Sequence, residues 1–167
     1  MPEVTIERIF VAPEHSFVGQ RRGRPRRVPM RPLASVECAA GRGLRGDRYF
    51  DFKQDYKGQV TFFGAEVFRA VCAHVGARDC PPWAMRRNVM LAGIDLNTLV
   101  GRVFELQGVR FAGIEECSPC HWMDHAIGPG AQDFLKGRGG LRARILDSGT
   151  LSCGPARLVV QAASRTP

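Results

Sequence analysis

Gly101-Arg102-Val103-Phe104-Glu105-Leu106-Gln107-Gly108-Val109-Arg110-Phe111-Ala112-Gly113-Ile114-Glu115-Glu116-Cys117-Ser118-Pro119-Cys120-His121 is the stretch on which the fold turns. Val103–Leu106 and Val109–Glu115 are short β-prone runs separated by Gln107-Gly108. They read as a hairpin closed by a two-residue turn. Working outward, the same pattern of short strands recurs. Val4–Val11 alternates at period two, and Met30–Cys38, Gln59–Phe63, Asn88–Leu91, Ala143–Leu146 and Leu158–Gln161 are further strand candidates. Helical spacing occurs over Ala65–His74, with apolar Val67, Phe68, Val71, Cys72 and Val75, and Gly76 ends it. Ala131–Lys136 reads as a second, short helix. Many short strands, Gly-rich connections and no regular βαβ alternation predict a mainly β (α+β) fold, a barrel with a few short peripheral helices. No internal repeat or linker divides residues 1–167, so one domain is expected, with an Arg-rich loop at 12–27 and a flexible tail at 162–167.

The composition suits a globular domain, with 44% hydrophobic and 24% charged residues among 167. The net charge is +8 and Arg supplies nearly all of it, since Lys occurs only at Lys53, Lys57 and Lys136. Arg forms flat, bidentate contacts with phosphate and carboxylate, which points to an anionic ligand. A GC-rich genome would give the same bias. Five of the Arg residues fall in Arg21-Arg22-Gly23-Arg24-Pro25-Arg26-Arg27, where Gly and Pro forbid a helix. Residues Met1–Phe10 have no apolar segment of the signal-peptide kind, and no run approaches the length of a membrane span. The chain is therefore expected in the cytoplasm, away from membranes, with its six Cys reduced.

Glu115-Glu116-Cys117-Ser118-Pro119-Cys120-His121 is the densest chemical signal. Cys-x-x-Cys can be half a zinc clip, but no second pair exists and the spacing of His121 and His125 fits no standard finger. Cys-x-x-Cys-His is also the attachment signature of c-type haem, which requires export. Thiol–disulfide exchange would want the pair at the start of a helix in a βαβ context, whereas His121–Pro129 is short and soon broken. The fourth reading is a single reactive thiolate at Cys120, with Pro119 constraining the backbone before it and Arg nearby favouring the ionised form. Cys38, Cys72, Cys80 and Cys153 read as packed, inert side chains.

Basic residues beside glycine recur. Gly41-Arg42-Gly43-Leu44-Arg45-Gly46-Asp47-Arg48 can form a tight turn or a backbone anion nest, and it matches neither a Walker loop nor Gly-x-Gly-x-x-Gly. Asp47 can pair with an Arg and hold that loop. Arg86-Arg87-Asn88 and Arg138-Gly139-Gly140-Leu141-Arg142-Ala143-Arg144 each lead into a strand, where Arg can face a pocket mouth or a solvated rim.

In order, Gly43-Leu44-Arg45-Gly46-Asp47-Arg48, Arg86-Arg87-Asn88, Gly93-Ile94-Asp95-Leu96, Gly101-Arg102-Val103-Phe104, Cys117-Ser118-Pro119-Cys120 and Gly137-Arg138-Gly139-Gly140-Leu141-Arg142-Ala143 resemble the MOSC domain, named for the C-terminal domain of molybdenum cofactor sulfurase. The likeness runs from about Val4 to Val160 and is nearest to the small stand-alone bacterial members. It implies a β-barrel and a molybdenum cofactor (molybdopterin), with Cys120 matching the characteristic Cys that ligates molybdenum in amidoxime-reducing relatives. By the same matching, contacts to the pterin phosphate fall on Arg48, Arg86, Asn88 and Ser118, and also on Ser16. Arg45, Arg138 and Arg142 are further cofactor-binding candidates. Pyridoxal phosphate binding attaches to the family by association only. Gly154-Pro155 stands where the family often has Gly-Asp, and the additional N-terminal barrel of amidoxime-reducing enzymes is not matched. A dimer or another protein is thus the expected way to complete the pocket. The resemblance implies a molybdenum-dependent reductase of N-hydroxylated compounds fed by a redox partner, or a sulfur-carrier module loaded by a sulfur donor through a Cys120 persulfide. A basic nucleic-acid binder using Arg21–Arg27 is the reading of another class, and no aromatic-rich single-strand motif or helix-turn-helix supports it.

Overall fold

A computed structural model describes residues 2–14 and 29–162. The Arg21–Arg27 loop, Ser16 and the end of the tail lie outside the described residues. The hairpin forms as its sequence dictates. Strand β7 (Val103–Leu106) meets β8 (Val109–Glu116) with Leu106 opposite Val109. Gln107 and Gly108 both have positive φ, 50° and 80°, the mirror-image turn whose twist matches that of the flanking strands.

From this hairpin the barrel closes. β11 (Gly154–Val160) pairs with β7, β9 (Leu141–Ile145) with β8, and β5 (Val60–Gly64) with β9. β6 (Val89–Ala92) lies parallel to β5, and β1 (Glu3–Val11) lies antiparallel to β6. β1 also pairs with β11, Glu3 opposite Arg157 and Ile6 opposite Gly154. The sheet order β11-β7-β8-β9-β5-β6-β1 thus returns on itself, and β2 (Arg31–Leu33) hangs from the far end of β1. Closure leaves those strands without an open edge. Pro155 sits opposite Thr5, exposed at the first turn of β11. The Met30–Cys38 segment differs from expectation. It breaks at Ala34 into β2 and β3 (Ser35–Ala39), and β3 joins β4 (Gly43–Leu44) and β10 (Gly149–Ser152) in a separate small sheet. β10 has no clear strand pattern in sequence. Its four residues are held by pairing with β3, Leu151 opposite Val36.

Two apolar cores result. Alternate residues of the barrel strands, among them Ile6, Val60, Phe62, Leu91, Phe104, Phe111, Leu141 and Ala143, fill the interior. The second core lies outside the barrel wall, where Phe10, Phe63 and Met90 meet the helices. These are α1 (Ala65–Val75), α2 (Trp122–Ala126) and α3 (Ala131–Leu135), with a 3₁₀ turn at Pro82–Met85. Helix α1 crosses between the parallel strands β5 and β6, the connection that parallel pairing requires. Gly76 ends it at φ 71°, with the Ala77 N–H bonded back to the Cys72 carbonyl. Among the described residues, no helix is long and apolar enough to cross a membrane.

Candidate functional site

Because Val60, Phe62, Leu141 and Ala143 point inward, Thr61 and Arg142 point outward. They are register partners on β5 and β9. Glu115, at the end of β8, is the partner of Arg142 on the other side, just past an irregularity in register after Gly113. A cleft of about 190 Å³ opens over this outer face. The loop Cys117–Cys120 leaves β8 along one wall. Arg86 and Arg87 enter from the start of β6. Arg48, Tyr49 and Tyr56 enter from the loop after β4.

The Cys loop is held by a buried cation. Arg87 is only 8% exposed and spends its guanidinium on carbonyls. Nε donates to Gly139 O at 3.2 Å, Nη1 to Met85 O at 3.1 Å, and Nη2 to Cys117 O at 3.1 Å and Ser118 O at 3.5 Å. The Cys117 N–H donates to Gly140 O at 2.8 Å, and Glu116 accepts from the Gly139 N–H at 3.1 Å. Gly139 has to be glycine here, since a Cβ would strike the Cys117 carbonyl and the Pro119 ring. The conjunction of Arg87, Gly139 and Gly140 was not visible as a unit in sequence. Its only signal was that Gly-Gly and Arg-Arg each precede a strand.

Both thiols line the cleft, Cys120 half-buried and Cys117 buried, and both are free. The guanidinium of Arg86 lies 5.1 Å over the Trp122 ring. Arg86 takes the left-handed conformation, φ 57° and ψ 33°, between the 3₁₀ turn and β6. For a non-glycine residue that backbone is strained, a feature common where a side chain must be aimed. Burial first, then the neighbouring Arg48 charge, pull its pKa down to about 10. The side chain of Arg48 is 7% exposed, lies 4.8 Å over Tyr49, and has its Nη1 at 3.4 Å from Asp47. For Arg142, burial opposes the charge, but Cys117, Tyr56 and Glu115 outweigh it and hold its pKa above the ordinary value. Burial and then Tyr49 push the Tyr56 hydroxyl up, so it stays a protonated donor at neutral pH. The Nε atoms of Arg48 and Arg142 are buried without a hydrogen-bond partner among the described residues. Negative charge is short here. Asp47 sits fully buried beneath Arg48, and Glu115 is shared between Lys57 at 2.5 Å and Arg142 at 3.8 Å.

Of the residues named from sequence, the cleft brings together Cys120, Ser118, Arg48, Arg86 and Arg142. Asn88 is 3% exposed and occupied elsewhere. Its Oδ1 accepts from Thr61, and its Nδ2 donates to Phe10 O at 3.0 Å and to Asp47 at 3.3 Å. It braces the cleft floor without lining it. Asp47 also accepts from the Ala12 and Tyr49 N–H groups and so anchors the Gly-rich loop. Arg45 is on the surface, paired with Glu37 at 3.1 Å and standing over Phe50. Arg138 borders a different, larger cavity of about 370 Å³ formed with Val67, Ile94 and Leu96, which contains no cysteine. Tyr49, Tyr56 and Thr61 line the cleft without having been singled out, and Arg87, read only as one of the arginines before a strand, lines it too. Tyr56 carried no motif, and Thr61 was legible only as the outward residue between Val60 and Phe62. Among the described residues, no group of three or more His, Cys, Asp or Glu could hold a metal ion.

The MOSC domain model matches residues 47–156, which span the loop of Asp47 and Arg48, Cys117 and Cys120, the barrel strands β5 to β9 and the small-sheet strand β10, and reach into β11. The chain belongs to the MOSC family. Solved structures agree in fold. YuaD from Bacillus subtilis is similar with a TM-score of 0.75 at 16% identity, over 98% of this chain and 100% of that one. YiiM from Geobacillus stearothermophilus gives 0.65 at 18%, over 95% and 75%. YiiM from Escherichia coli gives 0.64 at 14%, over 98% and 72%. No curated protein sequence matches the chain.

Proposed function

We propose that this MOSC protein binds a molybdenum cofactor through Cys120 and reduces N-hydroxylated compounds with electrons delivered by a partner protein. The observation that carries the reading is one cleft in which a half-buried thiol meets three arginines, two of which, Arg48 and Arg142, have a buried Nε with no hydrogen-bond partner among the described residues.

The donor set fits the group. A thiolate is a soft ligand suited to molybdenum. Cys120 would be the donor, with Cys117 buried beside it, and among the described residues no cluster of three or more ligands cages a metal, so the pterin would have to hold the rest of the metal's ligand set. Arg48, Arg86 and Arg142 supply guanidinium forks for a phosphate, with Ser118 beside them. When bound, the cofactor supplies the two-electron redox chemistry. The chain's residues hold and orient. Arg87 fixes the Cys117–Ser118 carbonyls and so the path of the chain into Cys120. Tyr49 and Tyr56, stacked at 5.2 Å, wall off one side of the cleft.

A second reading is favoured by the presence of Cys117 in the same cleft. In it Cys120 carries a persulfide taken from a sulfur donor, and the arginines stabilise its charge. The experiment is molybdenum content by mass spectrometry after expression in a host that makes the cofactor, beside Cys120→Ala. Near-stoichiometric molybdenum that disappears in the variant supports the first reading. Absence from both, with the host's other molybdenum enzymes loaded, refutes it, and an intact-mass gain of one sulfur on Cys120 then supports the carrier.

A further inference from the structure

We infer that the cavity of about 370 Å³ beside the Gly137–Gly140 loop is a second binding site, one for small organic cations that carry an ammonium or amidinium head on an apolar body. Three parts of the chain enclose it. The start of α1 gives Glu66 and Val67, the turn after β6 gives Gly93 to Asn97, and the loop before β9 gives Arg138 and Gly140. It shares no lining residue with the cysteine cleft. Val67, Ile94 and Leu96 supply an apolar wall, and a cavity of this size with an apolar wall and a few polar groups suits a small molecule.

The polar groups choose the head. Glu66 Oε1 accepts from the Gly93 N–H at 2.9 Å, and Asp95 Oδ1 accepts from the Asn97 N–H at 3.0 Å. Each bond fixes its carboxylate at the cavity and leaves it a second oxygen for a ligand. The neighbouring cation on α1 is diverted: Arg69 reaches both carboxylate oxygens of Glu7 at 2.6 Å. Arg138, the single cation on the described lining, lies with its guanidinium 4.3 Å over the Phe134 ring. Two carboxylates against one guanidinium make this lining negative in a chain of net charge +8. The site is also joined to the cleft. Asn97 Nδ2 holds the loop at Gly137 O at 2.7 Å, Arg87 Nε holds it at Gly139 O at 3.2 Å, and Gly140 O accepts from the Cys117 N–H at 2.8 Å. Gly140 has no slack, since a Cβ there would strike the Phe62 carbonyl. A ligand seated against Arg138 and Gly140 therefore stiffens the strip that holds the Cys117 backbone.

The test titrates the full chain by calorimetry with benzylamine and benzamidine, beside benzyl alcohol and benzoate as neutral and anionic counterparts. The two cations should bind at one site, the alcohol at least about tenfold more weakly, as the loss of charge-assisted hydrogen bonds dictates, and benzoate not at all. Glu66→Gln and Asp95→Asn keep the acceptors for Gly93 and Asn97. Each should weaken benzamidine about threefold to tenfold, a range that allows for the solvent around these exposed carboxylates. Saturating benzamidine should also slow amide hydrogen exchange at Cys117 and Gly139. If either variant fails to fold, the ranking of the four probes on the wild type still decides. Binding of benzoate as tight as that of the cations, affinities unmoved by both substitutions, or exchange at Cys117 and Gly139 unmoved at saturation overturns the inference. Neither readout depends on molybdenum at Cys120, and the arginines of the cleft repel a cationic probe.

Discussion

Replacing Arg87 with Met tests whether one buried cation holds the Cys loop. The side chain is 8% exposed, and three of its bonds to carbonyls, at Gly139, Met85 and Cys117, fall at 3.1–3.2 Å. Met fills much of the same volume but donates nothing. Each buried carbonyl left unpaired costs about 1–3 kcal/mol. Removing the charge returns part of the desolvation penalty of the guanidinium. The balance is a loss of about 3–5 kcal/mol, the usual range for breaking a buried charged network. In a chain of this size that lowers Tm by about 6–20 °C. It should also free the loop locally, because Cys117 and Ser118 lose the donor they share. The assays are thermal unfolding and alkylation of the folded protein, mapped by mass spectrometry. In the wild type Cys120 should alkylate well before Cys117, which is 4% exposed. In Arg87→Met the rates should converge. Arg45→Met, whose ion pair with Glu37 is on the surface, should shift stability by under about 0.5 kcal/mol and leave the rates apart. A Tm within about 2 °C of wild type in Arg87→Met, with Cys117 still protected, would refute the reasoning.

The arginines of the cleft, two of them with a buried Nε that has no hydrogen-bond partner among the described residues, predict an anion-dependent stability. At about tenfold over its Kd, phosphate or pyrophosphate should stabilise the wild type by about 1.4 kcal/mol, or about 3–6 °C in Tm. Arg48→Gln should abolish that gain and Arg45→Gln should keep it, a contrast that removes general salt effects. A gain unchanged in Arg48→Gln would take the anion away from the cleft. High pH supplies the other prediction. Burial in the small sheet pushes Cys38 from 9.0 up to about 12 in the folded chain. The thiol is therefore held neutral when folded and ionises more readily when unfolded. Stability should be constant below pH 9 and fall as pH rises from 9 toward 12, by about 1.4 kcal/mol per pH unit for this one group. The urea midpoint at pH 8 and pH 10.5, compared with Cys38→Ala, measures it. Equal pH slopes in the two proteins would show that Cys38 is not the group responsible.

The barrel was legible because its strands carry their own signals. Val4–Val11 alternates, Gln107-Gly108 can hardly be anything but a two-residue hairpin turn, and Gly76 marks the end of α1. What escaped was decided by partners distant in sequence. β10 has little strand character until β3 lies beside it, and the run Met30–Cys38 divides at Ala34 because its halves pair in different sheets. Within the cleft, residue type was readable and orientation was not. Arg86 and Arg87 are adjacent and chemically identical in sequence. The left-handed backbone at Arg86 puts one toward the anion-deficient cleft and leaves the other to be consumed by carbonyls. Asn88, next in line, turns back to Thr61, Phe10 and Asp47. A motif matched residue by residue cannot separate the residue that reaches a ligand from the one that braces its neighbour.

The cleft is also a place where folding acts against itself. Arg86, Arg48 and Arg142 converge with little carboxylate to balance them, and burial beside Arg48 already draws the Arg86 pKa down to about 10. A fold selected for stability alone would give the buried Nε atoms of Arg48 and Arg142 hydrogen-bond acceptors or replace these side chains with apolar ones, since burying charge is costly. It would also avoid the strained backbone of Arg86, which costs on the order of 1–3 kcal/mol. These costs are borne by the apolar barrel interior beneath, where Phe62, Phe104 and Phe111 stack edge and face at 5.3–5.6 Å. The rigid barrel thereby holds positive charge and a thiol at fixed positions before any ligand arrives. An anion that brings a soft metal to Cys120 would find its counter-charges already assembled, and its binding would offset the repulsion between Arg48 and Arg86.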